Sequence, residues 1–168
     1  MLIMLTQGKL MEVDDADFAF MSQFMWYAVR DPKMRRPEAQ YLARTWHSGK
    51  RKTEYAQRLL LGVTDPCTLV DHKDGDTLNN RRENLRVCSY SQNMQNKKGT
   101  WGILGYKGVA CHRKPRARKY QGRIQIDGRR ISLGYYATPE EAARAYNAAA
   151  LHYFGEFACL NIIAGEEN

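Results

Sequence analysis

The spacing of apolar and polar residues along the chain predicts short strands separated by short helices. In the first sixty residues, a stretch with helical spacing is followed by aromatic stretches that are typical of half-buried strands, and a short apolar run then ends at Gly62. The predicted elements of this region are a helix over 15–24, strands over 26–30, 41–45 and 53–56, and a turn at Gly49.

The pattern then changes to two short strands that flank a long polar loop. The strands are predicted over 68–72 and 85–88, and the loop between them is rich in Asp and Asn. Ser89 and Gln92 have the S-x-x-Q spacing of a capping box, in which each side chain satisfies a free backbone N–H group of the other residue. A helix is therefore predicted to follow, with Asn93 in its first two turns.

A glycine-rich stretch over 97–105 predicts a hinge before a second module. Asp127-Gly128 is a tight-turn signal between two of the module's strands. Thr138, Pro139 and Glu141 are typical of a helix start, so a helix is predicted to run to about residue 154. The strands predicted before it span 106–111, 120–127 and 130–135.

The second module is predicted to have one apolar face and one basic face. Alternation along its middle strand places Tyr120, Ile124 and Ile126 in the core. The helix is expected to cover that side of the sheet through Ala142, Tyr146, Ala149 and Tyr153. The residues expected on the opposite face are Lys119, Gln121, Arg123 and Gln125.

Length and composition are those of a globular protein. The chain has 168 residues, of which 43% are hydrophobic and 26% charged, which suits one full domain or two small ones. No apolar run approaches the roughly 20 residues that a membrane span needs. We therefore expect a soluble protein that is not exported.

The charge is basic and unevenly distributed. Lys and Arg number 26 against 18 Asp and Glu, which gives a net charge of +8. Nine basic residues and a single acid, Asp127, lie between Lys107 and Arg130, so this segment alone carries +8. Positive charges concentrated on one side of a domain repel each other unless they bind an anion. The excess therefore favours nucleic acid as the partner over an ordinary solvated surface.

Cysteine and histidine are scarce. The four cysteines, at 67, 88, 111 and 159, form no C-x-x-C pair, which argues against a zinc ribbon, and reduced, buried thiols are expected. Any acid–base chemistry by histidine must come from His47, His72, His112 or His152.

The adjacent residues Asp71 and His72 are the strongest candidates for chemistry. An Asp at a strand end can offer an oxygen to a hard cation while the neighbouring imidazole takes a proton from water. Because adjacent strand residues point to opposite faces, both can serve one site only where the strand twists or ends. The amide oxygen of Asn93 could complete a small set of oxygen ligands for magnesium.

This stretch resembles the HNH nucleases, a group built on the ββα-metal fold, and particularly the variant found in phage homing endonucleases. Asp71-His72, then Asn84 and Asn93, follow that family's D-H…N…N arrangement. The resemblance implies that Asp71 and Asn93 hold a divalent metal, that His72 is the general base, and that Asn84 ties the loop so that the histidine is correctly aimed. Asn93 stands where the family's name has a histidine, which leaves a single carboxylate ligand.

The second module resembles the DNA-binding domain of plant ethylene-response factors, the APETALA type. The resemblance is carried by YKGV at 106–109, LGYY at 133–136, TPEEAARAY at 138–146 and CLNI at 159–162. It implies that the sheet lies in the DNA major groove. Ala110 and Ser132 stand where the plant proteins usually have arginine and tryptophan, so their sequence preference is not carried over. The residues implied to face DNA are Lys107, His112, Lys119, Arg123, Gln125 and Arg130.

The first sixty residues are similar to the amino-terminal part of phage HNH proteins with the same module order. By that similarity they form a small sheet beside the nuclease site. The weaker candidates for contacts to the DNA backbone are Arg30, Arg44, Lys50 and Arg51.

The patterns predict an α+β protein that ends in a three-stranded antiparallel sheet packed on one helix, and the resemblance implies a ββα-metal HNH nuclease domain with a small N-terminal sheet before it. The predicted divisions are an N-terminal segment over 1–62, a nuclease core over 63–98, a linker over 99–105 and a DNA-binding domain over 106–168.

The predicted function is that of a homing endonuclease that hydrolyses a phosphodiester bond of duplex DNA with Mg²⁺ or another divalent cation such as Mn²⁺. One active site per chain predicts a nick in one strand. Two alternatives stay open: a DNA-binding regulatory protein with a catalytically silent HNH fold, and an HNH restriction or repair nuclease. We expect no membrane and no small-molecule cofactor, a monomer on DNA with a dimer left open, and a phage-encoded protein in the cytoplasm of a bacterial host.

Overall fold

Helices and small antiparallel sheets alternate along the chain, which gives the α+β architecture that the sequence predicts. The computed structural model describes residues 1–6, 8–30, 41–46, 53–97, 104–112 and 117–165, with the backbone alone at 29–30, 41–46 and 53. Contacts divide the chain into two units, Met1–Asn93 and Met94–Asn168. The predicted division into four segments stays a prediction.

The first unit begins with a hairpin that the sequence analysis missed. Strands β1 (Leu2–Met4) and β2 (Leu10–Glu12) pair antiparallel. Helix α1 (Asp15–Met21) follows and ends three residues before the predicted position. The indole Nε1 of Trp26 donates to the carbonyl of Met21 at 2.8 Å, so the chain turns back at this point with a buried polar group satisfied.

A three-stranded antiparallel sheet follows, close to the positions predicted. Its strands are β3 (Tyr27–Arg30), β4 (Tyr41–Trp46) and β5 (Thr53–Tyr55). The apolar residues after β5 form a short helix, α2 (Ala56–Leu60), which the pattern did not identify as helical. The turn predicted at Gly49 lies outside the described residues.

The two strands predicted around the polar loop are confirmed as a hairpin. Strand β6 (Leu69–His72) pairs antiparallel with β7 (Leu85–Cys88), and helix α3 (Tyr90–Asn96) follows. The capping box is also confirmed. The N–H group of Gln92 donates to Ser89 Oγ at 3.2 Å, and the N–H group of Ser89 donates to Gln92 Oε1 at 2.8 Å.

One hydrophobic cluster joins the N-terminal elements of this unit to the hairpin. Met11, Val13 and Met21 have no exposed surface, and Leu85 of β7 belongs to the same cluster as they do. Each large apolar side chain buried in this way contributes about 1.5–3 kcal/mol. The first sixty residues therefore support the hairpin from within a shared core.

The second unit is a three-stranded antiparallel sheet with one long helix. Strand β9 (Tyr120–Ile126) lies between β8 (Val109–Cys111) and β10 (Arg129–Tyr136). Helix α4 (Pro139–Phe154) begins with the predicted capping box, in which the N–H group of Glu141 donates to the side chain of Thr138. The three strands and the helix predicted for this module are thus confirmed, although β8 is shorter than expected.

Small side chains let α4 lie close to the sheet. Ala142, Tyr146 and Ala150 are buried, and Ile124 of β9 packs in the same cluster as Tyr146 and Ala150. The prediction that Tyr153 belongs to this face is wrong, because its side chain is half exposed. The buried face instead runs through Ala143 and Ala150.

All four cysteines are free thiols, with Cys88 and Cys159 buried and Cys67 and Cys111 exposed. The expectation of buried thiols thus holds for two of the four. Among the helices of the described ranges, none has the length and apolar content that a bilayer crossing requires.

Candidate active site and nucleic-acid interface

His72 is the last residue of β6 and is nearly inaccessible, with 5% of its surface exposed. Its Nε2 lies 3.3 Å from Oδ1 of Asn80, a residue with no exposed surface. A second hydrogen bond fixes the orientation of the Asn80 amide, because its Nδ2 donates to the carbonyl of Thr77 at 3.2 Å. An amide oxygen can only accept, so the Nε2 of His72 is the donor, and the neutral ring carries its lone pair on Nδ1.

The surroundings of His72 favour its neutral form. Burial lowers the pKa of His72 below the ordinary 6.5, and this effect outweighs the hydrogen bond that His72 donates to Asn80 and the charges of Asp74, Asp71 and Asp76, all of which act to raise it. A neutral imidazole can take a proton, whereas an imidazolium cannot. The ring is therefore in the state that a general base requires near neutral pH.

Asn84 ties the loop that follows β6. Its Oδ1 accepts from the N–H group of Asp74 at 3.0 Å, and its Nδ2 donates to Asp74 Oδ1 at 3.0 Å and to the carbonyl of Asn79 at 2.7 Å. Burial raises the pKa of Asp74, but hydrogen bonds from Asp76, Asn79 and Asn84 outweigh it, so that the pKa lies below 3.8. The loop that carries Asn80 is thereby fixed relative to β6.

The N-terminal elements hold the same loop from the other side. The N–H group of Glu12 in β2 donates to the carbonyl of Leu78, and the N–H group of Asn80 donates to the carbonyl of Glu12, both at 2.8 Å. Arg82 binds Asp17 of α1 through two nitrogens at 2.7 Å. The position of Asn80, and through it the ring of His72, thus depends on the first twenty residues.

Asp71 forms a buried ion pair with Arg86, its cross-strand partner in the hairpin. The Nε and Nη2 atoms of Arg86 both donate to Oδ2 of Asp71, at 3.1 and 2.9 Å. A charge-assisted contact of this kind offsets the cost of burying the carboxylate. The carboxylate that the sequence analysis assigned to a metal therefore already has a cationic partner.

Asn93 lies within α3 and is half-buried. Its N–H group donates to the carbonyl of Ser89 at 3.0 Å, as expected in the first turns of a helix. The structure thus connects His72, Asn80, Asp74 and Asn84 through one loop. It places Asp71 and Asn93 on the flanking hairpin and helix, and their joint role as metal ligands stays a prediction.

The donor chemistry of Asp71 and Asn93 fits a hard divalent cation. A carboxylate and an amide offer oxygen atoms, which Mg²⁺ prefers, and Mg²⁺ usually retains several waters and substrate oxygens as further ligands. Within the described ranges, no three His, Cys, Asp or Glu side chains gather in a group that would hold a metal ion. Any metal site here would thus depend on few protein ligands.

The sheet of the second unit has an exposed polar and basic face. Cross-strand pairing places Arg123 opposite Ser132, Gln125 opposite Arg130, and Gln121 opposite Tyr135. Gln121 Nε2 donates to Ser132 Oγ at 3.0 Å. Gln125 and Arg130 are exposed and Arg123 is partly exposed, whereas Ile124 between them is buried. The face that can meet a ligand is therefore the one that carries the guanidinium and amide groups.

The other predicted DNA contacts in this unit differ in their surroundings. The ring of His112 lies 5.1 Å from that of Tyr135, between centroids, which places it beside this exposed face. Lys119 is exposed, with its Nζ 5.2 Å from the ring of Tyr120. The ammonium of Lys107 instead donates to the carbonyls of Gln95 at 2.6 Å and Lys97 at 3.3 Å.

The position of Lys107 has a structural explanation that does not involve DNA. Cations are favourable near the C-terminal end of a helix, where backbone carbonyls lack partners, and α3 ends at Asn96. Burial lowers the pKa of Lys107, as expected for an ammonium that is taken out of water. This placement gives no support to the DNA contact predicted for it.

Four residues of the first unit were weaker candidates for contacts to the DNA backbone, and the structure does not describe their side chains. Arg30 and Arg44 are in β3 and β4, opposite Tyr41 and Tyr27 respectively, but only their backbone is described. Lys50 and Arg51 lie outside the described residues. Contacts of these four residues to DNA stay predictions.

Two residues of the site were missed by the sequence analysis. Arg86 belongs to a strand that was identified correctly, but its contact with Asp71 follows from the strand register, in which 71 pairs with 86. Asn80 belongs to a run of polar loop residues, and nothing in that run distinguishes a buried amide from an exposed one. One general rule could have pointed to Asn80. A polar loop between paired strands must satisfy the hydrogen bonds of its own backbone, so some of its Asn and Asp side chains are expected to be buried.

Comparison with known proteins gives two matches. The sequence model of the HNH endonuclease family matches residues 68–95, which contain β6, the loop, β7 and most of α3. An uncharacterized HNH endonuclease of Acanthamoeba polyphaga mimivirus is 32% identical over 148 residues, a match that covers 87% of this chain and 75% of the viral protein. The similarity therefore extends beyond the hairpin to most of both chains.

Proposed function

The chain belongs to the HNH endonuclease family, and we propose that it is a site-specific DNA endonuclease of the homing type with His72 as general base. The observation that carries the proposal is the orientation of His72, whose Nε2 is held by Asn80 so that Nδ1 bears the lone pair. A general base needs a neutral imidazole whose lone pair is fixed on one nitrogen, and this arrangement of His72 meets that requirement.

The proposed reaction starts with proton transfer to His72. Nδ1 takes a proton from a water molecule, and the resulting hydroxide attacks the phosphorus in line with the departing 3′ oxygen. The imidazolium that forms is stabilised by Asn80, because Oδ1 still accepts from the Nε2 hydrogen. The departing 3′ oxygen takes up a proton from solvent water, and the products carry 5′-phosphate and 3′-hydroxyl ends.

The remaining residues of the site position these groups. Asn84 fixes the loop between Asp74 and Asn79, which keeps Asn80 against the imidazole. Asp71 and Asn93 would hold a divalent cation, which would neutralise charge on the phosphate and on the departing oxygen. One such site per chain predicts that each binding event cuts one strand.

The second unit is proposed to bind duplex DNA through the exposed face of its sheet. Arginine and glutamine can donate to base edges in the major groove, and arginine also binds phosphate. The unit carries twelve basic residues against six acidic ones, whereas the first unit carries fourteen against twelve. The electrostatic attraction to DNA is therefore assigned mainly to the second unit. The residues proposed to contact DNA are His112, Lys119, Arg123, Gln125 and Arg130.

A plasmid-nicking assay tests the proposal. Supercoiled plasmid that carries a candidate target is incubated with the protein and Mg²⁺, and relaxed circles are quantified on a gel. We expect relaxed circles with the wild type, none after addition of a chelator, and none with His72→Ala. His152→Ala is the matched control, because His152 is exposed on α4 and should leave nicking unchanged.

A second function, DNA binding by a catalytically silent HNH fold, is favoured by one observation: Asp71 is neutralised by Arg86. The same assay separates the two functions. Plasmid that stays supercoiled, together with a clear gel shift on the same DNA, would reject the nuclease and leave the binding protein. Nicking that persists in His72→Ala would reject His72 as the base.

A further inference from the structure

The ion pair between Asp71 and Arg86 lies in the interior of the first unit. Their side chains are 9% and 8% exposed, compared with 11% and 53% for Asp17 and Arg82 in a second ion pair of that unit. The guanidinium reaches Asp71 through two nitrogens that share one carboxylate oxygen. Arg86 therefore acts on the same group that the proposed function assigns to a divalent cation.

Two cations on one buried carboxylate repel each other. The repulsion between charges a few ångströms apart is larger in a protein interior than in water, because the effective dielectric constant is lower. A carboxylate left without any cation in that interior is also costly. Asp71 is thus stable with one cationic partner, and a second partner can bind well only if the first contact weakens.

We infer that Arg86 is a built-in counter-ion of Asp71 that competes with the divalent cation and sets the affinity of the site for it. This inference rests on the proposed function in one respect, the role of Asp71 as a ligand. Arg86 is a positioning residue, since it acts through Asp71. The competition keeps the isolated protein weakly bound to metal, so that tight binding awaits the further oxygen ligands of a DNA phosphate.

Metal titration of the protein without DNA tests the inference. Mn²⁺ is added to chelator-treated full-length protein, and binding is followed by calorimetry and by the electron paramagnetic resonance signal of free Mn²⁺. We expect Arg86→Gln, which removes the charge, to bind Mn²⁺ about tenfold more tightly than the wild type. Arg86→Lys, which keeps the charge, should stay within about threefold of the wild type.

Loss of Arg86 also removes the partner of a buried charge, so Arg86→Gln is expected to be less stable than the wild type. Thermal unfolding with and without Mn²⁺ measures whether the ion compensates for this loss of stability. Mn²⁺ should raise the midpoint of Arg86→Gln more than that of the wild type, because the ion replaces the missing cation. If the variant is unfolded alone, Mn²⁺ should restore its circular dichroism spectrum. Arg82→Gln is the matched control, and Mn²⁺ should raise its midpoint no more than that of the wild type.

The inference is overturned if Arg86→Gln binds Mn²⁺ no more tightly than the wild type, or if it stays unfolded at millimolar Mn²⁺. It is also overturned if Asp71→Asn binds Mn²⁺ as well as Arg86→Gln does. These readouts involve no DNA cleavage. Absence of nicking by the wild type would therefore reject the proposed nuclease while the competition between Arg86 and the metal could still be demonstrated.

Discussion

Asn80 is the residue on which the orientation of the proposed base depends. It has no exposed surface, and its two amide atoms have different partners, His72 Nε2 and the carbonyl of Thr77. A hydrogen bond to the nitrogen that does not react is the usual means of selecting a histidine tautomer. The chemistry proposed for His72 would thus depend on a neighbour that has no charge and takes no part in the proton transfer.

We expect Asn80→Ala to reduce kcat for nicking by about tenfold to a hundredfold, with little change in KM, because the imidazole loses its orientation while DNA binding is retained. The ¹⁵N chemical shifts of His72 should change from those of an Nε2-protonated ring to those of a tautomer mixture. A variant with wild-type shifts and wild-type kcat would contradict the assignment. Circular dichroism controls for loss of fold.

The lowered pKa of His72 implies that the free energy of unfolding depends on pH. Because burial lowers the pKa in the folded state below the unfolded value of 6.5, the unfolded chain binds more protons between the two values. The contribution of His72 to the free energy of unfolding is therefore complete above pH 6.5 and is lost as the pH falls towards the folded pKa. Urea unfolding of the wild type between pH 8 and pH 5 should show this decline.

His72→Gln is the control for that series, since glutamine does not titrate. Its free energy of unfolding should fall less than that of the wild type over the same pH range. Parallel curves for the two proteins would show that the group responsible is not His72. Asp74 is separated from this effect by pH, because its pKa lies below 3.8 and its contribution is lost only in stronger acid.

At the scale of the elements, prediction from sequence succeeded where a local pattern decides the structure. Strand β7 and helix α4 match their predicted positions because alternation, capping boxes and turn residues act within a few residues of the chain. The hairpin of β1 and β2 was missed because each strand has three residues, too few for an alternation to be recognised. Helix α2 was missed because its five residues are too few for a helical period to be recognised.

The candidate site was predictable to the same extent. Asp71, His72 and Asn84 were singled out by residue type, spacing and family resemblance, and their roles in metal binding and catalysis stay predictions. Arg86 and Asn80 were not, because their roles come from contacts between segments that are distant in the chain, 15 residues in one case and 8 in the other. Strand register and loop path determine such contacts, and neither is encoded in a short motif.

Gly108, which precedes β8, lies close to Tyr146 of helix α4. A side-chain carbon built at this position would lie 2.0 Å from Tyr146 Cδ2 and 2.6 Å from the carbonyl oxygen of Arg123, and φ is +74°. We expect Gly108→Ala to destabilise the second unit by at least about 3 kcal/mol, from strain and overlap together. Urea unfolding monitored by circular dichroism measures the loss.

Gly128 provides the matched comparison, because its φ of +78° is nearly the same and no atom lies within 4 Å of the added carbon. Gly128→Ala should cost only the backbone strain, on the order of 1 kcal/mol. Equal losses in the two variants would mean that the backbone conformation alone accounts for both effects, and that the contact of Gly108 with Tyr146 has no energetic role.

At the scale of the whole molecule, the net positive charge lies mainly in the second unit, to which DNA binding is proposed to belong. The second unit has twice as many basic as acidic residues, and the first is nearly balanced. A first unit with so small a net charge gains little affinity for DNA from long-range attraction. Binding strength and cleavage chemistry are therefore expected to respond to different sets of mutations.

Arg123→Ala tests this separation on the intact chain. Each phosphate contact releases about one condensed counter-ion, so loss of one contact should reduce the slope of log Kd against log salt concentration by about 0.9. Arg144→Ala removes the same charge from the exposed side of α4, away from the sheet face, and should leave the slope unchanged. Fluorescence anisotropy with a labelled duplex at several salt concentrations measures both. A slope in Arg123→Ala equal to that of the wild type would mean that Arg123 does not contact phosphate. An equal loss of affinity in Arg123→Ala and Arg144→Ala would show that net charge, rather than the sheet face, determines the affinity.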